Sequence, residues 1–257
     1  MGVRWFAPMI VLLAAAMAFA PSRAQSPVGN PSLGGNPPAG AAGLGGNTAR
    51  PNDIELVERL LVARRDYQKT LEALRLHYIQ AGDVERAKWA EEELRQYHRI
   101  PKPAYRLELD VPPPNLNGQT NVPEANKLFT RGLEYKDKGW GNDYIDNQRR
   151  AELLFQEVLT KYPQSNKIDD AAYMLGEIYE SKAFKQPRRA AQYFERCFQW
   201  NPRTHRDARM RAARIYDRDL HERAKAIELY REVTTHETDQ RRLQEAQRRL
   251  TELSGTR

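Results

Sequence analysis

From about residue 52 onward, apolar residues recur three and four positions apart, the spacing that gathers them on one face of an α-helix. The pattern is clearest over residues 166–202. Ala172, Leu175, Gly176 and Tyr179 form one stripe and predict a helix over 167–183. Ala190, Phe194 and Cys197 form a second and predict a helix over Pro187–Trp200, with Pro187 in the first turn and Asn201-Pro202 as the stop. A glycine inside a helix costs about 1 kcal/mol against alanine. Gly176 therefore marks a place where a neighbouring helix comes close. Small residues (Gly176, Ala190, Cys197) set against large ones (Tyr179, Phe194) predict two helices packed back to back.

The same alternation flanks this pair. Leu128, Gly132 and Tyr135, then Ala151, Phe155 and Val158, predict an earlier pair starting near Glu124. Its hinge, KGWGNDYIDNQRR, reads as longer than usual by about seven residues, with Trp140 and Tyr144 free to pack on the helices or to line a ligand site. After Pro202, Ala212, Ala213 and Tyr216, then Ala226, Tyr230 and Val233, predict a third pair. A closing helix over 239–253 carries Leu243, Ala246, Leu250 and Leu253 on one side and polar residues on the other, as the end of a helical stack needs.

Two further helices are expected before these. Val57, Leu60, Tyr67, Leu71, Leu74 and Tyr78 run to about Gln80, interrupted by Arg64. Ala87, Ala90, Leu94 and Tyr97 return over 84–99. The seven-residue spacing fits a coiled coil with a second copy of the chain or a hairpin folded on itself, and the Gly82-Asp83 turn favours the hairpin. Residues 101–123 break the pattern. Positions 105–111 have extended character, and Pro112-Pro113-Pro114 makes the segment a stiff connector. The fold class expected is all-α: a helical hairpin (52–100), the connector, then a solenoid of about three helix pairs with a capping helix (124–257).

The amino-terminal residues follow a different rule. Arg4, the apolar run 9–20 and Ser22-Arg23-Ala24 before Gln25 have the layout of a secretory signal peptide. The run is short for a membrane span, which needs about 20 residues. Residues 25–51 are rich in Gly, Pro, Asn and Ala without apolar periodicity, the composition of a disordered tether. The expected location is therefore exported, periplasmic or at the cell envelope, with no membrane span in the mature chain.

The central stretch resembles the tetratricopeptide repeat (TPR) family at Leu175-Gly176, Tyr179, Ala190, Phe194, Cys197 and Pro202. Residues 159–165 (LTKYPQS), followed by Ala171-Ala172-Tyr173 and Leu175-Gly176, are similar to bacterial envelope TPR proteins such as the Tol–Pal-linked coordinator and the outer-membrane assembly lipoprotein. The resemblance covers about 124–236. It implies a curved scaffold that holds protein partners on the side lined by the first helix of each pair. Mapped here, that groove comprises Asn126, Phe129, Thr130 and Leu133, then Asp170, Tyr173 and Glu177, then Met210, Arg211, Arg214 and Arg218. Phe129, Tyr173 and Met210 stand where some TPRs carry a polar carboxylate clamp. Aromatic anchors for an extended peptide or a partner helix, with arginines at one end, are the expectation.

Charge changes the picture little. The net +7 arises mainly in 201–257, with fourteen Lys/Arg against ten Asp/Glu, while 50–100 balances ten against ten. A nucleic-acid partner would want a concentrated basic stripe, so none is expected. No histidine has a partner at metal-ligand spacing, no glycine-rich phosphate loop is present, and the sole cysteine, Cys197, sits on an inward stripe. No catalytic, cofactor or metal site is therefore expected. A binding scaffold leads, a self-associating envelope protein driven by the 54–99 helices is the alternative, and a cell-wall sugar-binding or hydrolytic role through Trp140 is the remote one.

Overall fold

The computed structural model describes residues 53–255; the signal-peptide and tether expectations lie outside them. Ten helices follow one another: α1 (Asp53–Gln80), α2 (Val84–Arg99), α3 (Leu107–Asp110), α4 (Pro123–Lys136), α5 (Asn142–Lys161), α6 (Ile168–Glu180), α7 (Pro187–Trp200), α8 (Ala208–Arg218), α9 (Arg223–His236) and α10 (Gln240–Gly255). No strand occurs among the described residues; one parallel bridge joins Thr120 to Ser165. The helices pack as consecutive pairs, α1 on α2, α4 on α5, α6 on α7 and α8 on α9, with α10 closing the stack against α9. The architecture is all-α.

Two of the pairs, α4/α5 and α6/α7, each bury a ring where the partner helix lacks a side chain. Phe194 lies against Gly176, and a methyl group there would come within 2.6 Å of the ring. Phe155 sits on Gly132 in the same way, also at 2.6 Å. In the third pair Ala213 and Tyr230 are both fully buried. Tyrosine hydroxyls then link one pair to the next. Tyr179 donates to Glu152 at 2.6 Å, and Tyr216 donates to Glu195 at 2.6 Å.

Two expectations about the connections need correction. The long hinge expected over 138–150 is absent. The chain turns within 137–141, and the remaining residues lengthen α5, which has 20 residues against 14 in α7. The side chains of Asn147 and Gln148 donate to the carbonyls of Lys138 and Lys136, which closes the turn and lets the helix start early. Positions 107–110, expected to be extended, form a helical turn, with the Val111 N–H donating to the Leu107 carbonyl at 2.8 Å.

The connector is not a free spacer either. Arg189 pairs with Asp110 at 2.6 Å, the Tyr193 hydroxyl donates to the Asp110 carbonyl at 2.9 Å, and Arg196 and Trp200 donate to the carbonyls of Pro112 and Pro113 at 2.6 and 3.0 Å. The segment therefore runs along α7 in one register and meets residues 164–166 through Thr120, whose N–H donates to Gln164 at 3.0 Å.

The α1/α2 pair folds as a hairpin and docks on α5. Gln68 donates to the Arg149 carbonyl, Arg149 donates to the His98 carbonyl, and Arg150 reaches Glu72 and Glu91. The extra turns of α5 supply these contacts. Packing at the seat of Phe194 predicts that Gly176→Leu lowers stability by about 1–3 kcal/mol. Chemical denaturation should show a lower midpoint at unchanged slope; an unmoved midpoint would refute the packing.

Candidate binding site

The groove residues expected on the first helix of each pair divide into two groups. Phe129, Tyr173 and Met210 are not exposed anchors. Met210 has no exposed surface, Phe129 packs on Phe155 at 5.5 Å, and Tyr173 packs on Phe194 at 5.5 Å. Leu133 is half-buried against the same core. The reason is geometric. A helix inside a stack touches its own partner and its neighbours, so residues beside the core stripe are covered as well.

The polar members are engaged within the chain. Asn126 donates to Asn121 at 2.6 Å. Asp170 pairs with Arg206 at 2.7 Å, and Glu177 pairs with Lys136 at 2.8 Å. Arg211 spans Glu177, Glu180 and Asp207, and Arg214 and Arg218 both reach Glu245 of α10. The Tyr173 hydroxyl donates to Asp207 at 2.6 Å, with the guanidinium of Arg206 4.7 Å from its ring. Thr130 and Arg218 are the exposed members of the set, and Thr130 lies on a shallow surface shared with Lys127, Arg131 and Glu134. The capping helix accounts for much of this: a mainly polar helix at the end of the stack brings Glu245 onto the arginines.

A deeper concavity lies elsewhere. A cleft of about 290 Å³ opens between α1, the 102–113 segment, α5 and α7. Its apolar wall includes Leu61, Leu109, Leu153 and Leu159, and its polar groups include Arg64, Arg65, Gln68, Lys102, Gln156 and Thr160. At its base lies a buried network of four charges. Glu152 accepts from Arg149 at 2.7 Å and from the Tyr179 hydroxyl, while Arg189 pairs with Asp110 and covers the Tyr179 ring at 3.8 Å. Burial alone would raise the Glu152 carboxyl; Arg149 and Arg189 outweigh it and hold the group at about 2. The network is balanced within itself, two cations against two anions.

The upper cations are not balanced in this way. Lys102 is buried and donates to the carbonyls of Tyr97 and Ile100 at 2.7 and 3.4 Å, with its ammonium 4.0 Å from the Tyr97 ring centroid. Burial, joined by the charge of Arg149, pulls its pKa down to about 7. Arg64 donates to the Pro103 carbonyl at 3.3 Å. Neither of these, nor Arg65, makes an ion pair with a carboxylate among the described residues.

The sequence reading missed this cleft, although one sign of it was visible. Arg64 interrupts the apolar row of α1 because that position faces the cleft. Asp110, Arg189 and Tyr193 carried no local signal, since their meeting depends on where the connector lies.

Cys197 is buried, and burial above all pushes its thiol up to about 12, so it stays protonated. No cluster of His, Cys, Asp and Glu able to hold a metal occurs among the described residues. No described helix is long and apolar enough to cross a membrane. Trp140 is 90% exposed and packs on nothing that would hold it. No protein-family model, curated protein or solved structure matches the chain.

His98 gives this region a titration. It is buried, with Nδ1 at 3.0 Å from Asp146. Burial, with the nearby charges of Arg150, Lys102 and Arg149, lowers its pKa to about 3, so it is neutral in the fold. An unfolded chain takes up that proton near 6.5. The stability contribution is therefore fully present above pH 6.5 and is lost as pH falls toward 3, at roughly 1.4 kcal/mol per unit. Denaturation curves between pH 6.5 and 4.5 should be steeper in pH for the native chain than for His98→Asn, which keeps a donor without the titration; equal slopes would refute the assignment.

Proposed function

We propose that the chain is an exported scaffold of TPR type that binds protein partners, acting in cell-envelope assembly or cell-wall coordination rather than as an enzyme. The observation that carries this reading is the repeated seating of an aromatic ring in a small-residue gap, Phe155 on Gly132 and Phe194 on Gly176, within consecutive helix pairs. The spacing of these residues is that of the family resemblance, and the envelope placement rests on LTKYPQS and the amino-terminal apolar run.

A further feature supports polypeptide recognition. Arg196 and Trp200 of α7 already hold a proline-containing segment through the main-chain carbonyls of Pro112 and Pro113. A partner would engage the exposed face of α4 at Thr130, Arg131 and Glu134, because the expected aromatic anchors are inside. In a pull-down from envelope extract, the double substitution Thr130→Glu, which adds a negative charge, and Arg131→Glu, which reverses one, should lose partners that the native chain retains, with the helical circular dichroism unchanged. An identical partner set would remove this face from consideration.

A second reading is favoured by one observation. Leu56, Leu60, Tyr67 and Leu74 follow heptad spacing on α1 and remain 36–48% exposed, although Tyr67 also packs on Tyr97 of the hairpin. A second copy of the chain pairing along this row would bury it. Under that reading light scattering gives a dimer mass for the native chain and a monomer mass for Leu60→Glu with Leu74→Glu. A monomeric native chain would exclude it.

A further inference from the structure

We propose that the cleft between α1, α5, α7 and the 102–113 segment binds an amphipathic anion, an apolar chain ending in a carboxylate or a phosphate. The inference is independent of the scaffold reading, because it concerns the side of the stack away from α4, α6 and α8.

Three observations converge. The first is shape. The cleft follows α5 from Glu152 to Thr160, about 12 Å at the rise of a helix. Its volume stands at the lower end of small-ligand sites, about 300–1,000 Å³. The second is the wall. Leu61, Leu109, Leu153 and Leu159 line it with prolines of the connector, so a chain of methylenes leaves water on entry, with about 0.8 kcal/mol gained per group.

The third observation is charge. Every carboxylate on the lining is already matched: Glu108 by Arg106, Asp110 by Arg189, and Glu152 by Arg149. Arg64, Arg65 and Lys102 face the same space and make no ion pair with a carboxylate among the described residues. Arg64 and Lys102 spend donors on main-chain carbonyls alone. A metal cation would be repelled there, and a neutral chain would leave the guanidinium charges of Arg64 and Arg65 without a carboxylate. An anionic head near Lys102 answers them, and charge-assisted hydrogen bonds from guanidinium groups are about twice as strong as neutral ones. Carboxylate and phosphate heads share this chemistry.

Isothermal titration calorimetry of the full chain at pH 7 tests it, with each probe below its aggregation limit. Decanoate, decyl phosphate, decanol and inorganic phosphate are the probes. At least one of the two amphipathic anions should bind, and whichever is tighter identifies the head. Decanol and inorganic phosphate should bind at least tenfold more weakly. Arg65→Ala, which removes a half-exposed side chain, should weaken the tighter anion about tenfold or more. Leu153→Trp, which fills the cleft from α5, should abolish the heat while the variant remains helical. Absence of binding by both anions, equal affinity in Arg65→Ala, or decanol or inorganic phosphate binding as tightly as the amphipathic anions would each overturn the proposal. None of these outcomes bears on partner capture by the α4 face, so the two readings fail separately.

Discussion

The structure depends on one contact repeated at helix-pair spacing, an aromatic ring set into the place of a missing side chain. Phe194 on Gly176 and Phe155 on Gly132 are the two clear cases. The magnitudes explain why the glycine is tolerated. Burying a phenylalanine side chain is worth about 1.5–3 kcal/mol, and a glycine inside a helix costs about 1 kcal/mol. The gain exceeds the cost, and the helices approach closely enough for both outer faces to meet neighbours. The stack, the burial of Tyr173 and Met210, and the tyrosine-to-glutamate links between pairs all follow from that approach.

Much of this was legible in the sequence because it is local. The bounds of α7 match the apolar stripe between Pro187 and Asn201. Gly176 and Gly132 reveal themselves as small residues where a helix would otherwise carry a side chain. The hinge after α4 was misread for an equally local reason. Trp140-Gly141-Asn142 carries turn residues, yet the helix resumes at once, and nothing in 142–150 marks whether it is loop or helix. The second covered face of each stacked helix was not legible either. Whether Met210 faces solvent is decided by a neighbouring pair, and one helix's periodicity does not contain its neighbour.

The connector shows the same limit from the other side. Its prolines correctly predict a stiff, non-repeating segment, but they do not say that it lies along α7. Asp110 provides that information only when Arg189, seventy-nine positions away, is opposite it. A buried ion pair is weak evidence of net stability, since the cost of desolvating both charges can cancel their attraction. Its stronger effect is on alternatives. Sliding the connector by one residue would take Asp110 from Arg189 and bury it unpaired, and breaking a buried pair in this way costs about 3–5 kcal/mol. The pair with Glu152 and Arg149 thus selects a register more than it adds strength.

That selection has a consequence for recognition. One wall of the cleft is connector backbone, a kind of segment that is mobile in many proteins. Here it is fixed at both ends of the cleft, by Arg64 at the Pro103 carbonyl and Lys102 at the Tyr97 carbonyl, and by Arg196 and Trp200 at Pro112 and Pro113. A ligand entering such a site does not have to order the wall, and ordering is among the larger costs of association. The buried charges below also cannot rearrange to neutralise Arg64, Arg65 and Lys102, because each is already committed to a partner. A cleft that is both preformed and electrostatically unfinished is what separates this side of the molecule from the α4, α6 and α8 face, where Arg211, Arg214 and Arg218 have found their carboxylates within the chain.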